Sequence, residues 1–149
     1  MEAVDSEKAT AAEKFLAHVT RRTNFSWPMR KMKVLEVRSK PYGYVKAELV
    51  IEKEHCNARN VLHGGMVSLL VDVVGVMAWI AKDGRAAIGP SIEFSTSFER
   101  SAELGETIVI EAKCTKSGRS LGFTGTDIYR KGDGLLVASG RHTLVRSKV

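Results

Sequence analysis

Cysteine is nearly missing from this chain: Cys56 and Cys114 are the only two, and neither a CxxC spacing nor a histidine cluster accompanies them. A disulfide framework and a structural zinc site are thereby excluded. The expectation is two reduced, buried thiols in a compartment of cytosolic type. Acidic residues are also short, 17 against 23 lysines and arginines, leaving a net charge of +6 and a pI near 9.5. Such a surface suits a polyanion: nucleic acid, a membrane surface or a phosphorylated metabolite. Aromatic residues make up 7% of the chain. They do not interleave with the basic residues, which are scattered apart from Arg21-Arg22 and Arg30-Lys31-Met32-Lys33. The stacking surface of a single-strand binder is absent, and no nucleic-acid partner is expected.

The N-terminal segment Met1-Glu2-Ala3-Val4-Asp5-Ser6-Glu7 is acidic and has no apolar stretch. Neither a secretory signal nor a transit peptide is expected there. The long apolar run, Met66 to Ala81, is short for a bilayer and carries Asp72 at its centre. It reads as a buried helix rather than a membrane span. Cytoplasm and mitochondrion both stay open as locations.

At 149 residues, with 44% hydrophobic and 27% charged, the chain can bury roughly 70% of its unfolded surface around one core. Disorder and a collagen-like chain do not fit that composition. We expect one domain over residues 1–149, with 1–29 as an N-terminal helical extension capped by Asp5 or Ser6 and packed on the outside. Met32 to Val37 reads as a strand. Pro41-Tyr42-Gly43 has turn chemistry, and Val45, Ala47, Leu49 and Ile51 then alternate with Lys46 and Glu48 as a strand with one wet face. After the apolar helix, Asp83-Gly84 supplies a stop. Four further strands are expected at Ser91 to Phe98, Thr107 to Cys114, Leu121 to Tyr129 and Leu135 to Val145, with turns at Ser117-Gly118 and Gly132-Asp133-Gly134. In the first of these, Ile92, Phe94 and Phe98 share a face. Grouped strands around one helix point to an α+β fold with an antiparallel sheet. A helix apolar on every side must be wrapped. A sheet curled around one long helix is the hotdog architecture.

Asp72 stands alone in that apolar helix, and an unpartnered carboxylate out of water costs several kcal/mol or a raised pKa. Its presence asks for a partner or a chemical task. His63-Gly64-Gly65 immediately precedes the run. Unpaired N–H groups at a helix start, with the positive end of the dipole, stabilise negative charge such as an oxyanion. The same glycines would also serve a simple tight turn. Gly64 and Asp72 are separated by about 12 Å along one helix at 1.5 Å per residue, so both cannot reach one carbonyl carbon. If they share a site, a second copy of the chain supplies the carboxylate across a two-fold axis. His63 can orient the loop, transfer a proton or touch substrate. Asn57 can present an amide to a carbonyl or a water, or cap its own loop.

The stretch Asn57-Ala58-Arg59-Asn60-Val61-Leu62-His63-Gly64-Gly65 followed by Asp72 resembles the signature of hotdog-fold acyl-CoA thioesterases of the phenylacetate-degradation type, including the thioesterase superfamily member 2 (acyl-CoA thioesterase 13) group. The likeness covers roughly residues 30 to 145. It continues through Ser91-Ile92-Glu93-Phe94, Leu104-Gly105-Glu106, Lys116-Ser117-Gly118-Arg119-Ser120-Leu121 and Gly140-Arg141-His142-Thr143. The resemblance implies that Asp72 is general base or nucleophile and that the Gly64 N–H binds the thioester oxygen. Asn57 would place the thioester or the water, and Ser91 would orient that water from the same subunit as Asp72. The nucleotide of coenzyme A would lie at Lys116, Ser117, Gly118, Arg119, Ser120 and Leu121, where Lys116 and Arg119 suit phosphates. Further implications are tetramers built as pairs of dimers, no metal, and no cofactor beyond the coenzyme A of the substrate. Two positions depart from the pattern: Asn60, where Gly is frequent, and Ser95, where Asn is frequent. Asn tolerates the left-handed region, so the loop can survive.

The activity expected is hydrolysis of medium- to long-chain or aryl acyl-CoA to free acid and CoA, a reaction of fatty acid metabolism. A non-catalytic acyl-CoA-binding module on the same scaffold is the alternative. A hotdog dehydratase would need a catalytic His in a different local pattern.

Overall fold

The structure, a computed structural model, describes residues 2–84 and 88–147. Helix α1 (Glu2–Val19) is followed by a 3-10 turn at Trp27–Lys31 and strands β1 (Lys33–Arg38) and β2 (Gly43–Val50). Helix α2 (Gly64–Asp83) comes next, then β3 (Ile88–Phe98), β4 (Thr107–Ser117), β5 (Leu121–Arg130) and β6 (Leu136–Arg146). The six strands form one sheet in the order β1-β2-β4-β5-β6-β3, and every neighbouring pair is antiparallel. The chain thus leaves β2, crosses through α2 to the far edge at β3, and returns to the middle with β4. This is the expected hotdog arrangement.

The sheet wraps α2 because its inward positions are apolar or small. Ala47, Leu49, Ile108, Ile110, Ala112, Ile128 and Leu144 are buried, as are Leu70, Val71, Val74, Met77 and Trp79 of the helix. Where helix and sheet come closest the sheet carries glycine. A Cβ on Gly122 would sit 2.4 Å from the Trp79 indole, and one on Gly140 would sit 2.5 Å from Val71. Trp79 fills the gap so completely that truncating it to Ala would cost about 3–5 kcal/mol. The other side of α2 is covered by α1, whose Ala12 is fully buried and whose Phe15, Leu16 and Val19 join the core.

Two expectations about the helices are corrected. α1 begins at Glu2, so Ser6 lies inside the helix, where its carbonyl accepts the Thr10 hydroxyl; the side chain of Asp5 lies outside the described residues. α2 has 20 residues, long and apolar enough on its own to cross a bilayer, but 78% of its most apolar window is buried inside the protein. Burial, more than length, decides that helix's place.

β3 is an edge strand with exposed apolar side chains: Ile92, Phe94 and Phe98 are 57%, 39% and 60% exposed. The register shift between Ser91 and Glu93 takes Ile92 off the face that Phe94 and Phe98 share, correcting the expectation that all three lie together. Isolated exposed apolar residues are ordinary, but three on one edge of a sheet invite a partner strand.

Candidate active site

The start of α2 is shaped by the loop before it. Asn57 closes this loop: its Oδ1 accepts from the N–H of Arg59 at 2.9 Å and of Val61 at 3.4 Å, and its own N–H donates to the Val61 carbonyl. Asn60 adopts φ 58°, the left-handed turn that Gly or Asn accepts most readily. With Oδ1 engaged, the Asn57 amide keeps its NH2 group as a donor without a partner among the described residues. His63 then caps the helix, its extended backbone placing Nδ1 to accept the Gly65 N–H at 2.8 Å. The His63 carbonyl accepts from Met66 and Val67. That leaves the Gly64 N–H without a hydrogen-bond partner among the described residues, at the positive end of a buried helix. Beside it lies a small cavity of about 290 Å³, walled by Val61, Leu62, Gly64, Val67, Phe98 and Val137 among others.

Asp72 lies two turns further along α2. Its carboxyl group is 48% exposed in a single chain, and its Oδ1 is 3.6 Å from Nδ1 of the fully buried His142 on β6. That separation exceeds a hydrogen bond, and Nδ1 has no hydrogen-bond partner among the described residues. The other imidazole nitrogen, Nε2, lies 2.6 Å from Oγ of Ser91 on β3. Phe94 packs edge-on against the ring at 5.3 Å. Burial pushes the Asp72 carboxyl above the usual carboxylate range, with His142 pulling part of the way back. Burial holds His142 below the ordinary histidine value, against the pull of Asp72. The imidazole is therefore neutral near pH 7. The tautomer without repulsion keeps its proton on Nδ1, facing the carboxylate, while the Ser91 hydroxyl donates to Nε2.

The predicted residues therefore form two groups within one chain. Asn57, His63 and Gly64 meet at the helix start. Asp72 and Ser91 meet through His142, about 12 Å along the helix from Gly64. The turn Lys116 to Leu121 forms a third locality. Lys116, Arg119 and Ser120 are exposed and Leu121 half-buried, while the Ser117 hydroxyl points inward to Trp79, Asp83 and Arg146. A larger cavity of about 700 Å³ lies over the face of the sheet that carries Lys113, Asp127 and Arg141; Lys116 and His142 contribute to its wall, but Asp72, Ser91 and Gly64 do not. The two polar groups are the candidates for chemistry, one offering donors without partners among the described residues and the other a carboxyl of raised pKa. Among the described residues no three metal-type side chains cluster.

The family model described as Thioesterase superfamily matches residues 59–137, the stretch that carries the helix start, Asp72 and Ser91. The chain is also 38% identical to acyl-coenzyme A thioesterase 13 of Homo sapiens over 125 residues, covering 84% of this chain and 86% of that protein. The chain belongs to the thioesterase superfamily. Solved structures agree with the fold. The zebrafish thioesterase superfamily member 2 superposes with a TM-score of 0.82 at 32% identity, covering 90% of this thioesterase-superfamily chain and 94% of that one. The Mus musculus thioesterase superfamily member 2 superposes with a TM-score of 0.77 at 28% identity, covering 90% and 96%.

His142 is the site residue of this superfamily member to which sequence reading gave no role. Its signal was present: in the alternation of β6 it takes an inward position between Gly140 and Leu144, and a polar side chain on an inward face needs a partner.

Proposed function

We propose that this protein hydrolyses acyl-CoA thioesters, with medium- to long-chain or aryl acyl groups as the substrate class. The observations that carry the reading are a Gly64 N–H at a helix start with no partner among the described residues and, on the same helix, an Asp72 carboxyl of raised pKa. The amide and the Asn57 NH2 polarise the thioester carbonyl. Asp72 acts on a water that Ser91 orients, or attacks directly to form an acyl-enzyme anhydride. The departing thiolate is a good leaving group and needs no strong general acid. His63, engaged in capping, serves by holding the Gly64 amide in place. The exposed turn at Lys116 to Leu121 receives the nucleotide of CoA, with Lys116 and Arg119 offering charge to its phosphates. Neither metal nor added cofactor enters this chemistry.

Because the two groups stand about 12 Å apart on one helix, the complete site needs two chains with their α2 helices antiparallel. The uncovered apolar edge of β3 supports the pairing surface, and a tetramer as a pair of such dimers extends it. Cytoplasm or mitochondrion is the proposed setting.

Thiol release from a panel of acyl-CoAs of graded length tests the reading. Turnover is expected, with a preference for medium or long chains. Tight binding of every acyl-CoA without thiol release would instead favour a non-catalytic binding module. His142→Ala is expected to lower kcat roughly a hundredfold, because Ser91 loses its anchor and the water its aim. The acid limb of the pH–rate profile should move upward at the same time, since His142 normally pulls the Asp72 pKa down. Unchanged kcat and an unmoved limb would remove His142 from the site.

A further inference from the structure

The turn between β4 and β5 is held from outside by three side chains, none belonging to either site group. Arg146, the last residue of β6, has a side chain only 10% exposed. Its guanidinium lies over the Trp79 ring at 4.7 Å. Nη2 donates to Asp83 Oδ2 at 2.6 Å, to Ser117 Oγ at 3.1 Å and to the Gly118 carbonyl at 3.3 Å. The Arg146 backbone N–H donates to the Ser120 carbonyl at 2.8 Å. Trp79 Nε1 donates to Ser117 Oγ at 2.8 Å, and that hydroxyl in turn donates to Asp83 Oδ2 at 3.1 Å. The turn is therefore clipped onto the last turn of α2.

Stability alone explains this cluster poorly. A buried ion pair contributes little net stability compared with apolar side chains of the same volume. Here Nε and Nη1 of Arg146 are also buried with no hydrogen-bond partner among the described residues, a cost that native structures seldom carry without a reason. What the cluster does achieve is direction. The Arg146 guanidinium holds the Gly118 carbonyl on one side of Arg119, while the backbone N–H of the same residue holds the Ser120 carbonyl on the other, and Arg119 and Ser120 stay exposed.

We propose that Arg146, with Asp83 and Trp79, is a positioning clip that holds the 117–121 turn in the shape that receives the nucleotide end of acyl-CoA. The inference rests on the reading of that turn as the nucleotide site. Arg146 touches neither thioester nor water, so it governs the binding of nucleotide-bearing substrates and leaves the chemical step alone.

The test compares one acyl group carried on CoA and on pantetheine, which lacks the nucleotide. Arg146→Met is expected to raise KM for acyl-CoA about tenfold, as loss of charge-assisted hydrogen bonds implies. Its kcat, and its kcat/KM for acyl-pantetheine, should stay within about twofold of wild type. Arg146→Lys keeps the charge beside Asp83 but not the planar fork. It should raise KM for acyl-CoA in the same direction by a smaller factor, and it carries the test should the Met variant fail to fold. Titration with adenosine 3′,5′-bisphosphate alone should show the same weakening without any turnover. Equal losses on both thioesters, or unchanged KM and bisphosphate affinity, would overturn the clip. A wild type that releases no thiol from either thioester would instead count against the hydrolase reading, and the bisphosphate titration would still decide the clip.

Discussion

Asp72→Asn is expected to lower kcat for acyl-CoA hydrolysis by about a thousandfold, the range that loss of a well-placed general base produces. KM should change little. The substitution swaps one oxygen for an NH2 of nearly the same volume at a half-exposed position, so the helix and its packing stay as they are. What disappears is the group able to take a proton from water or to attack the thioester. The same residue sets the pH dependence. Its carboxyl is raised above the usual carboxylate range by burial, so activity should climb with pH through that raised value and hold on the alkaline side, where the carboxylate is ionised. His142 is itself held below the ordinary histidine value by burial, so it is neutral on the alkaline side of that climb. In Asp72→Asn the residual rate should no longer follow this limb. Stopped-flow or continuous thiol detection between pH 4 and 9 would show it, and a variant with the wild-type rate and profile would remove Asp72 from the chemistry.

Much of this architecture could be read from residue order because the period-2 alternation in β2, β4, β5 and β6 is clean. α2 was legible for the opposite reason: between Met66 and Ala81 only Ser68 and Asp72 are polar, so it required wrapping on nearly all sides. The helix start was equally legible, since His63-Gly64-Gly65 places a capping side chain and two unobstructed amides in consecutive positions. Other features depend on partners far away in sequence. His142 meets Ser91 across 51 positions and Arg146 meets Asp83 across 63, and no local pattern announces either contact. Ser117 reads as an exposed turn residue. The irregular register between Cys114 and Lys116 places it at the end of a bulged strand, and its hydroxyl faces Trp79. The start of α1 was misplaced because Asp5 and Ser6 are good caps in the abstract, while the chain is helical from Glu2. Asp72 itself is half-exposed rather than enclosed, as a carboxylate should be if a second copy of the chain completes its surroundings.

Two defective chains, mixed, test that last point most directly. Asp72→Asn lacks the carboxylate. Gly64→Pro lacks the amide, at a first helical position where proline is tolerated and after a His63 whose ψ of 136° suits a following proline. Each variant alone should be nearly inactive, the second by about a hundredfold or more. If the carboxylate of one chain serves the helix start of the other, half of the randomly mixed dimers carry one intact site of two. Co-refolding equal amounts should then restore about one quarter of wild-type activity. A mixture no more active than the average of its two parents would place both groups in one chain's own site and contradict the account.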